Sequence, residues 1–110
     1  MGKVFSAGQI GQYENDGWVS PLDVLSADQV RDCRTRLEEW ELMRGGSLPA
    51  HERSSGHILF PWIDALMRNE TILDAVEDLI GPDILCWNSV FWIKEARSSS
   101  YVGWHQDLQY

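Results

Sequence analysis

Two residues near the C-terminal end stand out for what their side chains can do. His105 and Asp107 lie two positions apart. On an extended backbone, residues i and i+2 project from one face. An imidazole nitrogen and a carboxylate oxygen then converge on one point. These donor types suit non-haem ferrous iron held by two histidines and one carboxylate. Three protein ligands on one side of the ion leave the other positions for co-substrates. The spacing alone is weak. With three histidines and nine aspartates in 110 residues, such a pair arises by chance in roughly one sequence in four. The plain alternative is a strand-end histidine beside a solvated aspartate.

To present both residues on one face, the chain around them must be extended. The segment 84–95 is apolar, aromatic and rich in β-favouring residues, with no helical period, which predicts a strand. The serine-rich stretch 96–100 reads as a loop and 101–104 as a second strand that ends on His105. In the first strand Asn88, Val90, Trp92 and Lys94 share a face by alternation. If that face looks inward, Asn88 can hydrogen-bond a carboxylate while Val90 and Trp92 wall a pocket. The odd positions Ser89, Phe91 and Ile93 are just as apolar, so alternation leaves the inward face open. Gln106 points away from the metal on the same alternation.

Helical signals precede these strands. Ser6 to Asp16 reads as a short helix ended by Gly17, followed by a brief strand, Trp18–Ser20, and a turn at Pro21. Ser26 with Gln29 three residues later forms a capping box. Val30, Cys33, Leu37 and Trp40 then make an apolar stripe that stops at Gly45-Gly46. The stretch 47–57 is polar and reads as a loop. Pro61 can open a helix at its first turn, and Asn69 can cap a further one. Ile72, Leu73, Val76, Leu79 and Ile80 mark that helix's buried face, and Gly81-Pro82 ends it.

Composition narrows the function classes. A net charge of −8 repels phosphate backbones and anionic lipid surfaces. Nucleic acid and membrane are therefore not expected as partners, and a small molecule remains. No apolar run is long enough to cross a bilayer, and Met1–Ser6 lacks a signal-like apolar stretch, so a cytoplasmic protein is expected. Cys33 and Cys86 are distant in sequence and form no CxxC pair. Both are expected to be reduced and buried. The six tryptophans are expected mostly to pack the core.

The segment from Ile84 through Glu95, the serine-rich loop, and Gly103-Trp104-His105-Gln106-Asp107 together resemble the phytanoyl-CoA dioxygenase family. So do Tyr13-Glu14-Asn15-Asp16-Gly17-Trp18-Val19, Leu25-Ser26-Ala27-Asp28-Gln29-Val30, His57-Ile58-Leu59-Phe60-Pro61-Trp62 and Ile72–Pro82, in the family's order. The resemblance covers nearly the whole chain.

It implies an α+β fold in which N-terminal helices, to about residue 82, precede the first strands of a double-stranded β-helix of the jelly-roll or cupin kind. It implies Fe(II), 2-oxoglutarate and dioxygen as cofactor and co-substrates. Oxidative decarboxylation of the oxoacid to succinate would be coupled to hydroxylation of a small organic substrate. His105 and Asp107 match the first two iron ligands. Asn88, Val90 and Trp92 match the strand lining the oxoacid pocket, and Gln106 lies near the oxoacid in similar proteins. A carboxylate at Asp107 favours hydroxylation over halogenation. The second iron histidine and the oxoacid-binding arginine lie further on in the family than Tyr110, so the chain reads as a single partial domain, inactive alone. His57, just before an apolar run, is a candidate to reach the cofactor or substrate, with a surface or capping histidine as the plain alternative, and His51 has no supporting context. No coenzyme A site is evident. From another class, the chain reads as an inactive structural or interaction module that keeps the family's helices. An unfinished sheet would expose apolar edges and favour association.

Overall fold

A computed structural model describes residues 2–106. It contains five α-helices, and their ends follow local chemistry. Helix α1 spans Ala7–Asp16, with Ser6 and Gln9 forming a reciprocal capping box and Gly17 closing it in the left-handed conformation (φ 78°). Helix α2 spans Ala27–Arg44. Its Ser26 hydroxyl accepts from the Gln29 N–H while the Gln29 side chain accepts from the Ser26 N–H, and Gly45 ends it, again left-handed. A 3₁₀ turn at Ala50–Glu52 leads to α3, Gly56–Leu59. Helix α4, Pro61–Met67, starts on its proline. In α5, Glu70–Ile80, Asn69 caps the Ile72 N–H.

The expected strands do not form. No strand occurs among the described residues, and one isolated antiparallel bridge, Ser54 with Val90, stands where a ladder was anticipated. The brief strand at Trp18–Ser20 is also absent. The jelly-roll component of the expected fold class is therefore overturned for the described residues. The physical reason is the partner. The segment 84–95 lies beside 53–56, where Phe91 donates to the Arg53 carbonyl (2.8 Å) and Gly56 to the Ser89 carbonyl (3.3 Å). Ser55 then turns left-handed (φ 57°) and Gly56 enters α3. The ladder ends before it can extend, because a strand needs a continuing neighbour to satisfy its backbone.

The core is small. Leu48, Phe60 and Ile63 are buried, with Leu37, Trp40, Trp62, Met67, Phe91 and Ile93 packed against them. Phe60 meets Trp40 edge-on at 5.2 Å and Phe91 edge-on at 5.8 Å. These are the tilted geometries that aromatic quadrupoles favour. Trp40 and Trp62 join the core, but Trp18, Trp87, Trp92 and Trp104 are exposed, against the expectation for most of the tryptophans. Cys33 is half-buried as part of the α2 stripe. Cys86 is exposed, because its segment has no covering sheet. No helix among the described residues is long and apolar enough to cross a membrane.

A second packing centre joins the N-terminus to α5. The carboxylate of Asp78 accepts the backbone N–H groups of Lys3, Val4 and Phe5 at 2.7–2.8 Å. Lys3 Nζ reaches Asp74 and Glu77 on the same helix, and Phe5 is buried. The Phe5 and Val4 amides, followed by Lys3, hold the Asp78 carboxyl below its ordinary range. A lowered folded-state value means the clamp is in full force above the unfolded carboxylate pKa of about 4. It is lost as pH falls through the lower folded value. Hydrogen-exchange protection of the Val4 and Phe5 amides should thus persist at neutral pH, begin to fall below about pH 4 and disappear as the pH drops through the lower folded value. Asp78→Asn should lower the protection at neutral pH and abolish its pH dependence. Unchanged protection in Asp78→Asn would disprove the clamp.

Candidate functional site

The extended segment keeps a period of two even without a sheet. Ser89, Phe91 and Ile93 are half-buried, with Phe91 and Ile93 packed against the helical core, whereas Asn88, Val90, Trp92 and Lys94 are exposed. The face that alternation left open is thereby assigned. The odd positions pack on the helices, and the even positions look away from them.

Asn88 is engaged by its neighbours. Its Oδ1 accepts from Ser55 N (3.0 Å), Ser55 Oγ (3.2 Å) and Ser89 N (2.8 Å), and its Nδ2 donates to Ser54 Oγ (3.2 Å). In this arrangement Asn88 pins the loop before α3. Ser89 completes the pinning: its hydroxyl accepts the His57 backbone N–H at 3.0 Å and lies 2.7 Å from His57 Nδ1. His57 thus serves the start of α3. His51 is exposed on the 3₁₀ turn, 3.7 Å from Glu52.

Val90 and Trp92 line an open cavity of about 450 Å³ together with Arg53, Lys94, Tyr101 and Val102. Its walls are the exposed face of 90–94 and the returning chain at 100–102. Arg53 was not anticipated from sequence. It lies in a stretch that reads as polar loop, and no spacing signal marks it. Its Nε donates to the Leu48 carbonyl at 2.7 Å, Nη1 to the Ile93 carbonyl at 3.4 Å and Nη2 to Ser47 Oγ at 3.5 Å. Arg53 thereby ties the loop before α3 to the 89–93 segment.

Gln106 is exposed, and Asp107 lies outside the described residues. His105 is exposed, with Nδ1 2.8 Å from the Gly103 carbonyl oxygen. A carbonyl only accepts, so Nδ1 carries the proton. In the neutral ring the lone pair is then on Nε2. A backbone carbonyl fixing the tautomer in this way is the usual support of a metal-binding histidine. Among the described residues no three His, Cys, Asp or Glu side chains gather into a metal-binding group. The neutral His105 ring, with its proton on Nδ1, has the donor chemistry of a metal-ligating histidine.

Comparison with protein-family models, with curated proteins and with solved structures finds no match to the chain.

Proposed function

We propose that this chain contributes to a non-haem Fe(II)- and 2-oxoglutarate-dependent dioxygenase that hydroxylates a small organic substrate, with His105 and Asp107 as iron ligands. The observation that carries the reading is the His105 Nδ1–H···O=C contact to Gly103, which selects the tautomer that ligates through Nε2. The His-x-Asp spacing and the resemblance of the flanking segments add to it. When bound, the iron would supply oxygen activation coupled to oxidative decarboxylation of the oxoacid. The chain's own residues do the rest. His105 would be oriented by Gly103, Val90 and Trp92 would offer an apolar wall, and Gln106 would stand beside the oxoacid. Asn88 would act by pinning the loop that carries Arg53. Two protein ligands do not complete a facial set, so the third donor comes from elsewhere in the active assembly. The 110 residues alone should not couple oxoacid turnover to iron. The unpaired cysteines Cys33 and Cys86 support a reducing compartment, and the cytoplasm is proposed as its place of action.

The test is anaerobic addition of Fe(II) and 2-oxoglutarate to the intact native protein. The visible charge-transfer band of a chelated ferrous complex should appear, and His105→Ala should abolish it with helical circular dichroism unchanged. A folded protein with no band would overturn the reading in favour of an interaction module.

A further inference from the structure

The strongest signal outside the proposed iron ligands is an imbalance of charge pairing. The chain carries nine lysines and arginines against seventeen acidic residues. With acids in such excess, a cation finds a carboxylate easily. Six do: Lys3, Arg31, Arg34, Arg36, Arg44 and Arg68 each lie against an Asp or Glu. Among the described residues Arg53, Lys94 and Arg97 do not. Two of these three, Arg53 and Lys94, line the same cavity of about 450 Å³.

The rest of its lining suits an anion with an apolar body. Val90, Trp92, Tyr101 and Val102 supply aliphatic and aromatic wall. Arg53 is half-buried and held by two carbonyls and a hydroxyl. Those contacts use three of the five N–H groups of a guanidinium, which leaves two donors. They also fix its position, so little side-chain entropy remains to be lost on binding. Lys94 is exposed at the rim and adds a mobile charge. The cavity lies within the size range of small-ligand sites.

We infer that this cavity binds a small organic carboxylate with an apolar body, its carboxylate held between Arg53 and Lys94 and its body against Trp92 and Tyr101. The site shares the Val90 and Trp92 wall with the proposed oxoacid pocket, but it needs no metal and stands on the two cations rather than on the iron ligands.

Phenylacetate is a suitable probe, titrated into the intact protein with a chelator present and followed by calorimetry. Binding should saturate. Phenylacetamide, which keeps the body and loses the charge, should bind at least about ten-fold more weakly, since charge-assisted hydrogen bonds are the strong ones. Lys94→Gln should weaken phenylacetate by about 2- to 5-fold, the range for an exposed ion pair. Lys94→Glu should weaken it further. Lys94 is exposed and makes no side-chain bond among the described residues, so both variants should fold normally. No saturable binding, equal binding of acid and amide, or indifference to both Lys94 variants would each overturn the inference. Because no iron is present, loss of the charge-transfer band in the separate iron experiment leaves this result standing.

Discussion

Phe60→Ala is expected to lower the unfolding free energy by about 3–5 kcal/mol, the range for removing a buried phenylalanine. Phe60 is 6% exposed and joins Leu48 and Ile63 in the buried cluster. Trp40 and Phe91 stand edge-on against its ring from opposite sources, α2 and the 89–93 segment. Removing the ring opens a cavity that rigid neighbours cannot fill, and its three aromatic contacts, to Trp40, Phe91 and Trp62, go with it. A domain of this size has about 5–15 kcal/mol of stability in total. The loss should therefore take a large share of it. The consequence reaches the cavity: Phe91 sits between Val90 and Trp92, so a loosened Phe91 should unseat the wall that carries them. Urea unfolding followed by helical circular dichroism measures the effect as a lower midpoint at constant slope. A double-mutant cycle with Phe91→Ala should be non-additive, because the two rings touch. A cost below about 1 kcal/mol would show that the centre of this core lies elsewhere.

The elements that sequence makes legible are those whose causes are local. Ser26 with Gln29, Asn69, Pro61, Gly45 and Gly81 act within a turn or two, and α2, α4 and α5 begin and end beside them. The segment 84–95 is different. Its composition and alternation are strand-like, and the alternation survives as half-buried Ser89, Phe91 and Ile93. Strand formation, however, depends on a partner brought from 53–56, and that partner coils into α3 after one bridge. Leu48 and Glu52 illustrate the same limit from the other side. Both lie in a stretch that reads as a polar loop, yet both are buried, because Trp40 of α2 packs on the cluster that holds Leu48 and, with Arg44, engages Glu52. The site divides along the same line. His105 and Asp107 are visible as a spacing. Arg53 emerges only when the ion pairs of the six paired cations are placed in space.

Glu52→Ala is the second large effect expected, about 2–4 kcal/mol. Glu52 is 6% exposed, and a buried carboxylate persists only when its partners compensate for lost hydration. Here Trp40 Nε1 donates to Oε2 at 3.0 Å, and the Arg44 guanidinium pairs with Oε1. Arg44 also lies over the Trp40 ring, 5.2 Å from its centroid. Truncation leaves the half-buried indole N–H without its acceptor, which costs at most about 1–3 kcal/mol, the range for a fully buried donor. It leaves Arg44 half-exposed, so the lost ion pair itself is worth only about 1 kcal/mol or less. The remainder is the cavity. Glu52→Gln separates these contributions. It retains an acceptor for Trp40 and a similar volume while removing the charge, so its cost should stay near about 1 kcal/mol. If Gln and Ala were equally damaging, the charge on Arg44 rather than the indole bond would hold the turn. The position also matters for ligand binding. Glu52 immediately precedes Arg53, and the 3₁₀ turn that Glu52 anchors sets where the guanidinium enters the cavity. Glu52→Ala should therefore weaken phenylacetate binding even under conditions where the variant remains fully folded, whereas Glu52→Gln should not.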